Sequence, residues 1–167
     1  MTWDEDTIRA LKDSDVDVVS YIPDSVISDL IGRIERDEEF TTVPVAREEE
    51  AIAIVSGAWL GGQRGAVVCQ SSGLANTINA LGSLSKPWGL PFVGVVSRRG
   101  NLGEYNLAQV AAGYGMPDIL DAVGIRHCPL DEGDDVAKTI RMAADTAFQT
   151  HEPYIVLTER RLTEGSE

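Results

Sequence analysis

The sequence predicts an α/β fold with three layers: an open, mostly parallel sheet covered by helices on both faces. Three observations carry this. Short β-branched runs alternate with helically spaced apolar positions along the whole length. Residues 92–97, Phe-Val-Gly-Val-Val-Ser, are almost entirely apolar, as in a strand covered on both sides. No internal repeat or linker-like stretch divides the 167 residues, a length that supports a single domain, 1–167, with a sizeable core.

The elements follow in order. Residues 16–22, Val-Asp-Val-Val-Ser-Tyr-Ile, read as a strand. Pro23 and Asp24 then turn into a helix over 25–36, with Val26, Ile27, Leu30, Ile31 and Ile34 on one face. A second short strand covers 42–45. The helix after it runs from Glu48 to about Leu60 and ends at Gly61-Gly62. Strand 66–70 precedes a helix over 73–84, and strand 92–97 precedes a Gly-rich stretch, 98–114, read as a loop with a short helix. Helix 117–123, strand 125–128, a long helix over 131–150 with an acidic first turn, and strand 154–157 complete the chain, with 163–167 expected to fray.

Composition removes several function classes. The net charge is −13, from 27 acidic and 14 basic side chains, which disfavours nucleic acid as a partner. Only Lys12, Lys86 and Lys138 are lysines, a balance that fits a salt-adapted protein and an ordinary acidic one equally. Cys69 and Cys128 sit in no ligand-spaced pattern and are expected to be reduced thiols, with no zinc site. The longest apolar run, 90–96, is too short to span a bilayer, and the acidic N-terminus lacks a secretory pattern, so a cytoplasmic location is expected. The sequence has neither GxSxG, GxxxxGK[ST] nor GxGxxG. His127 and His151 read as structural.

Ligands of open parallel sheets bind beyond the carboxyl ends of the strands. Four segments fall there: Pro23-Asp24-Ser25, Arg47-Glu48-Glu49, Gln70-Ser71-Ser72-Gly73 and Ser97-Arg98-Arg99-Gly100. Together they offer carboxylates, hydroxyls, helix-start amides and two guanidiniums, which suits a polar, anionic ligand. Each also has a plainer reading: Asp24 as a cap, Glu48 to Glu50 as a solvated first turn, and the arginines as surface charge.

Val45-Ala46-Arg47-Glu48-Glu49-Glu50-Ala51, Gly57-Ala58 and residues 70–81 (Gln-Ser-Ser-Gly-Leu-Ala-Asn-Thr-Ile-Asn-Ala-Leu) resemble the pyrimidine-binding domain of thiamine diphosphate enzymes. The resemblance is nearest to sulfopyruvate decarboxylase alpha subunits and phosphonopyruvate decarboxylases, and extends to Tyr21-Ile22-Pro23-Asp24-Ser25 and to residues 91–100. It implies that Glu48, rather than Glu49 or Glu50, bonds the aminopyrimidine ring and promotes loss of the thiazolium proton. Asp24 would serve protonation on the substrate side. Ser72, Gly73 and Asn76 would lie at the cofactor, and Gln109, Arg98 and Arg99 at the substrate, the arginines holding a sulfonate or phosphonate.

The resemblance also has a gap. The domain that holds Mg²⁺ and diphosphate is marked by Gly-Asp-Gly with a downstream Asn, whereas Gly133-Asp134-Asp135 has no Asn after it. A separate beta subunit is therefore expected to supply that half, in a hetero-oligomer that also self-associates and is inactive without it. The implied reaction converts sulfopyruvate to sulfoacetaldehyde in coenzyme M synthesis. Phosphonopyruvate or another 2-oxo acid, and a non-catalytic assembly module, stand as alternatives.

Overall fold

A computed structural model describes residues 2–164. Six parallel strands form one sheet in the order β2-β1-β3-β4-β6-β5. They are β1 (Val16–Tyr21), β2 (Thr41–Pro44), β3 (Arg64–Gln70), β4 (Val93–Ser97), β5 (Arg126–Leu130) and β6 (Tyr154–Thr158). All six predicted strands are present, within about two residues at each end.

Alternation along the central strands divides the core into two halves. Ala66, Val68, Val93, Val95 and Val156 face one side, where α1 (Trp3–Asp13), α2 (Ser28–Arg36) and α8 (Val136–Thr150) cover them. Val67, Cys69, Val96, Ile155 and Leu157 face the other, under α3 (Glu48–Leu60), α4 (Ser71–Asn76) and α7 (Met116–Ala122). Each fully buried Leu, Ile or Phe here contributes about 1.5–3 kcal/mol of transfer free energy. The central strands, β3 and β4, are continuously buried because both faces are covered.

Four expectations need correction. Helix α2 starts at Ser28, because residues 25–27 are spent in a turn that Asp24 closes by accepting a hydrogen bond from the Val26 amide at 3.1 Å. The helix expected over 73–84 starts earlier and is broken. After α4 comes Thr77, whose hydroxyl bonds the Leu74 carbonyl at 2.8 Å, then α5 (Ile78–Ala80) and a π-helical turn (Leu81–Ser85). Helix α8 begins at Val136, since the Asp135 side chain accepts from the Lys138 amide and caps it there; Asp131 to Asp134 form the preceding turn. Finally, α1 and α9 (Arg160–Glu164) are two helices that the sequence reading did not include. Helix α9 carries part of the segment expected to fray; the rest of that segment lies outside the described residues.

Both cysteines are free, as expected, Cys69 buried and Cys128 partly so. His151 caps α8 in the left-handed region and meets Trp59 edge-on at 5.3 Å, a structural role. No helix among the described residues is long and apolar enough to cross a membrane.

Candidate active site

The carboxyl ends of β1, β3 and β4 converge on Asp24. Gln70 closes β3 and Ser97 closes β4, and the two are register partners. Ser97 Oγ donates to Asp24 Oδ2 at 2.5 Å, and Gln70 Nε2 donates to Asp24 Oδ1 at 3.3 Å. Ser72 Oγ in turn donates to Gln70 Oε1 at 2.5 Å, which fixes the direction of the Gln70 amide. With the Val26 amide, three donors hold the Asp24 carboxylate in place. Gln70 and Ser97 fall in the segments expected at the strand ends, but the sequence alone assigns neither an individual role. The signal that finds them is a polar residue ending an otherwise apolar, buried strand.

Glu48 approaches from the other side. It opens α3, the helix that connects β2 to β3 and packs across β1. Its side chain lies directly on Gly73: a Cβ at that position would stand 1.9 Å from Glu48 Oε1. Only a glycine leaves room for the carboxyl there. Glu48 is partly buried, and its carboxylate takes no hydrogen bond from any described residue. Its neighbours behave differently. Glu50 folds back on the Ala46 and Arg47 amides, and Glu49 pairs with Arg47; a backbone hydrogen bond, then that pairing, hold the Glu49 carboxyl below the usual range. Glu49 Oε2 is also buried without a partner, but of the three glutamates it is Glu48 that lies on Gly73, in the notch.

Cys69 locates the two carboxylates relative to each other. Its thiol is pushed well above the ordinary range, first by complete burial and then by the negative potentials of Glu48 and Asp24. Asp24 bonds Gln70 and Glu48 lies on Gly73, so both carboxylates stand at the end of β3, and the buried thiol of Cys69 next to them stays protonated and inert.

The remaining candidates fall around this centre. Gly73 is the floor of the notch, and Ser72 lies beside it. Asn76 is exposed at the end of α4. Gln109 sits on α6 (Leu107–Tyr114), which packs on α4, and its Oε1 is buried without a partner. Arg98 and Arg99 are both paired. Arg98 bonds Glu159 at 2.7 Å and the carbonyls of Gly113 and Tyr114. Arg99 grips Glu104 with two nitrogens, at 2.6 and 3.2 Å, and its amide donates to the buried Ser71 hydroxyl. Glu104 also accepts from the Gly100 and Asn106 amides, so its pKa is held down to about 2, the Arg99 hydrogen bond being the largest cause. The two arginines thus pin the 98–106 loop, while their guanidiniums, with Arg160 and Val26, line a hollow of about 30 Å³. A wider groove of about 540 Å³ lies between α1 and α2, toward the amino ends of β1 and β2. Among its lining charges, Lys12 pairs with Asp37 and Arg33 with Glu5, and none of the residues above borders it.

A partly buried, unpartnered carboxyl in a glycine notch, facing a second carboxylate locked by three donors, suits a ring nitrogen that must exchange a proton. Comparison with known proteins bears on what that ring is. Residues 1–112 match the model of the thiamine pyrophosphate enzyme, N-terminal TPP binding domain. The chain belongs to this family.

Its similarity to individual members is extensive. The sulfopyruvate decarboxylase subunit alpha of Methanococcus maripaludis is 33% identical over 95% of this chain and 95% of its own length. That of Methanocaldococcus jannaschii is 34% identical over 89% of this chain and 88% of its own length. A sulfopyruvate decarboxylase of Methanosarcina acetivorans is 30% identical over 98% of this chain, which spans 42% of that longer protein. Among solved structures, a 2-oxoglutarate:ferredoxin oxidoreductase from Magnetococcus marinus superposes with a TM-score of 0.74 at 15% identity. It covers 98% of this chain, which spans 29% of that one, and the likeness supports the fold alone.

Within this family the notch fits its cofactor: the absence of a side chain at Gly73 lets the Glu48 carboxyl lodge there with an acceptor free for an aminopyrimidine ring.

Proposed function

We propose that this chain is the alpha subunit of a thiamine diphosphate-dependent 2-oxo acid decarboxylase acting on sulfopyruvate, which it converts to sulfoacetaldehyde and carbon dioxide. The observation that carries the reading is the Glu48 carboxyl, unpartnered in the Gly73 notch. When bound, thiamine diphosphate supplies an electron sink for the carbon that loses carbon dioxide.

The chain's own residues hold and move protons. Glu48 accepts a hydrogen bond from a pyrimidine ring nitrogen and sets its tautomer. Asp24, steadied by Ser97 and Gln70, faces the substrate side, where a proton must replace the lost carboxylate. Gln109, on α6, belongs to the substrate side, and Ser72, Gly73 and Asn76 flank the ring. Arg98 and Arg99 line the hollow near Val26, where a terminal sulfonate would have to share their guanidiniums with Glu159 and Glu104.

The chain serves as one pyrimidine-binding domain. Mg²⁺ and the diphosphate tail belong to a second, cytoplasmic subunit, without which this chain is inactive. Two points support this: the sequence lacks Gly-Asp-Gly followed by Asn, and the chain matches only 42% of the longer Methanosarcina acetivorans relative. Phosphonopyruvate is the second reading. It rests on the phosphonopyruvate decarboxylase of Streptomyces viridochromogenes, 38% identical over 59% of this chain and 25% of its own length.

Glu48→Gln in the assembled enzyme tests the assignment. Carbon dioxide release from sulfopyruvate should fall by about 10²–10⁴-fold, while circular dichroism and subunit assembly stay as in wild type. Retained turnover would move the role to Glu49 or Glu50.

A further inference from the structure

We propose that Arg98, locked by Glu159, is a positioning residue: it seats α6 against the end of β4 and does not grip the substrate. This rests on the decarboxylase reading above, in which α6 carries Gln109 on the substrate side, and it decides for one of the two arginines between holding a sulfonate and holding the fold.

The nitrogens of Arg98 are committed. Nη1 donates to Glu159 Oε1 at 2.7 Å, Nε to the Gly113 carbonyl at 3.2 Å and Nη2 to the Tyr114 carbonyl at 3.1 Å. The side chains of Arg98 and Glu159 are only 13% and 10% exposed. An arriving sulfonate would have to draw the guanidinium away from Glu159 and leave that carboxylate buried and uncompensated, a strongly unfavourable exchange.

The two carbonyls show what the side chain is for. Gly113 and Tyr114 are the last residues of α6. The final carbonyls of a helix lack the partner four residues on, and they carry the negative end of its dipole. Arg98 satisfies two of them and sets a positive charge beside them.

Backbone packing builds the rest of the seat. A Cβ on Gly113 would stand 1.9 Å from the Arg99 carbonyl oxygen, and one on Gly100, whose φ is +79°, would stand 2.6 Å from the Gln109 carbonyl oxygen. Helix α6 therefore lies backbone to backbone on residues 99–100, with Arg98 clasping its C-terminal end. Glu159 closes the clasp from the β6 side. The Arg98 amide donates to the Thr158 carbonyl at 2.9 Å, and the second oxygen of Glu159 accepts from Asn101 Nδ2 at 2.9 Å.

The seat bears on the reaction because α6 packs on α4, the helix of Ser72 and Gly73, and the Arg99 amide donates to Ser71 at the start of that helix. A shift of α6 moves Gln109 and the backing of the Glu48 notch together. Arg98 thus acts on the rate through placement, and little on substrate affinity.

Three variants of the assembled enzyme test this: Arg98→Lys, Glu159→Gln and the two combined. Lysine cannot span the carboxylate and both carbonyls, and glutamine keeps the shape of Glu159 without its charge. Each single variant should lower kcat for sulfopyruvate about tenfold to a hundredfold, with KM within about threefold of wild type. Amide exchange in α6 should speed up about tenfold or more, while α1 and α8 exchange as in wild type. The double variant should lose no more than the worse single one, since the two side chains form one clasp. A sulfonate ligand would behave in the opposite way. Arg98→Lys would then raise KM about tenfold or more with kcat kept, and Glu159→Gln, by releasing the guanidinium, would lower KM. Either result, or wild-type exchange of α6 in both single variants, overturns the proposal. Should Glu159→Gln fail to fold, the KM and kcat of Arg98→Lys decide alone. A wild-type complex that releases no carbon dioxide from sulfopyruvate would instead overturn the decarboxylase reading, and α6 exchange in the variants would still decide whether Arg98 holds the helix.

Discussion

A methyl group placed on Gly73 would sit 1.9 Å from Glu48 Oε1, 2.3 Å from its Cδ and 2.7 Å from its Cγ. Real Cβ atoms do not come this close, so one partner must yield. The yielding group is the end of a flexible, partly exposed side chain with no hydrogen bond to lose, so Glu48 should swing toward solvent at little cost. Gly73 lies within α4 outside the left-handed backbone region, so alanine is compatible there and adds up to about 1 kcal/mol of helix propensity. For a chain of this size that amounts to a Tm unchanged or raised by about 2–4 °C. The assembled enzyme should nevertheless lose turnover by about 10²–10⁴-fold, because the carboxyl no longer reaches the ring. Thermal unfolding of the isolated chain and carbon dioxide release from the complex read the two effects separately. Wild-type turnover in Gly73→Ala would refute the claim that this contact sets the Glu48 position, and a Tm lowered by several degrees would refute the claim that Glu48 is the group that moves.

Two further outcomes follow from contacts described above or adjacent to them. Glu104 has its folded pKa depressed to about 2, against an ordinary value of 4.5, so its contribution to stability is present above pH 4.5 and is lost as pH falls toward 2. Solvent near the loop screens that contribution to about 1–2 kcal/mol. The stability gap between wild type and Glu104→Gln in urea unfolding should therefore be largest at pH 7 and fall to about a quarter of that at pH 2.5, and an equal gap at both would count against the Arg99–Glu104 pairing. Gly65→Ala would put a Cβ 2.6 Å from Val55 Cβ, where β3 meets α3 and neither backbone can retreat easily. It should destabilise by about 1–3 kcal/mol, seen as a lower urea midpoint; an unchanged midpoint would show that α3 can lift off the sheet.

The sequence made the sheet legible because its central, buried strands β1, β3, β4 and β6 are rich in β-branched residues, whereas β5, Arg126–Leu130, has none and was legible only from the strand-helix alternation. Helix α1 escaped because its inward stripe is thin: Trp3, Thr7, Ala10 and Leu11, with the Thr7 hydroxyl bonded back to the Trp3 carbonyl. Helix α9 is a short, mostly polar piece with one apolar anchor, Leu162. The break at Thr77 is a local choice between hydrogen-bond patterns that helical spacing does not encode.

At the site, the family motif led to Glu48 and Gly73, but their contact joins residues far apart in the chain and exists only once α3 has crossed β1. The same holds for Glu104 and Glu159. The sequence shows two adjacent arginines and leaves unstated that each already has a carboxylate, one nearby and one from the far end of the chain.

Glu159 has a practical consequence for handling the protein. It follows the last strand, its amide bonds the Leu130 carbonyl, and its two oxygens reach Arg98 and Asn101. The loop beside the active centre is thus suspended from the final segment of the chain. A purification tag or reporter fused close behind that segment would tug on the same tether, whereas one attached ahead of α1 would load a helix that packs against α2 and α8.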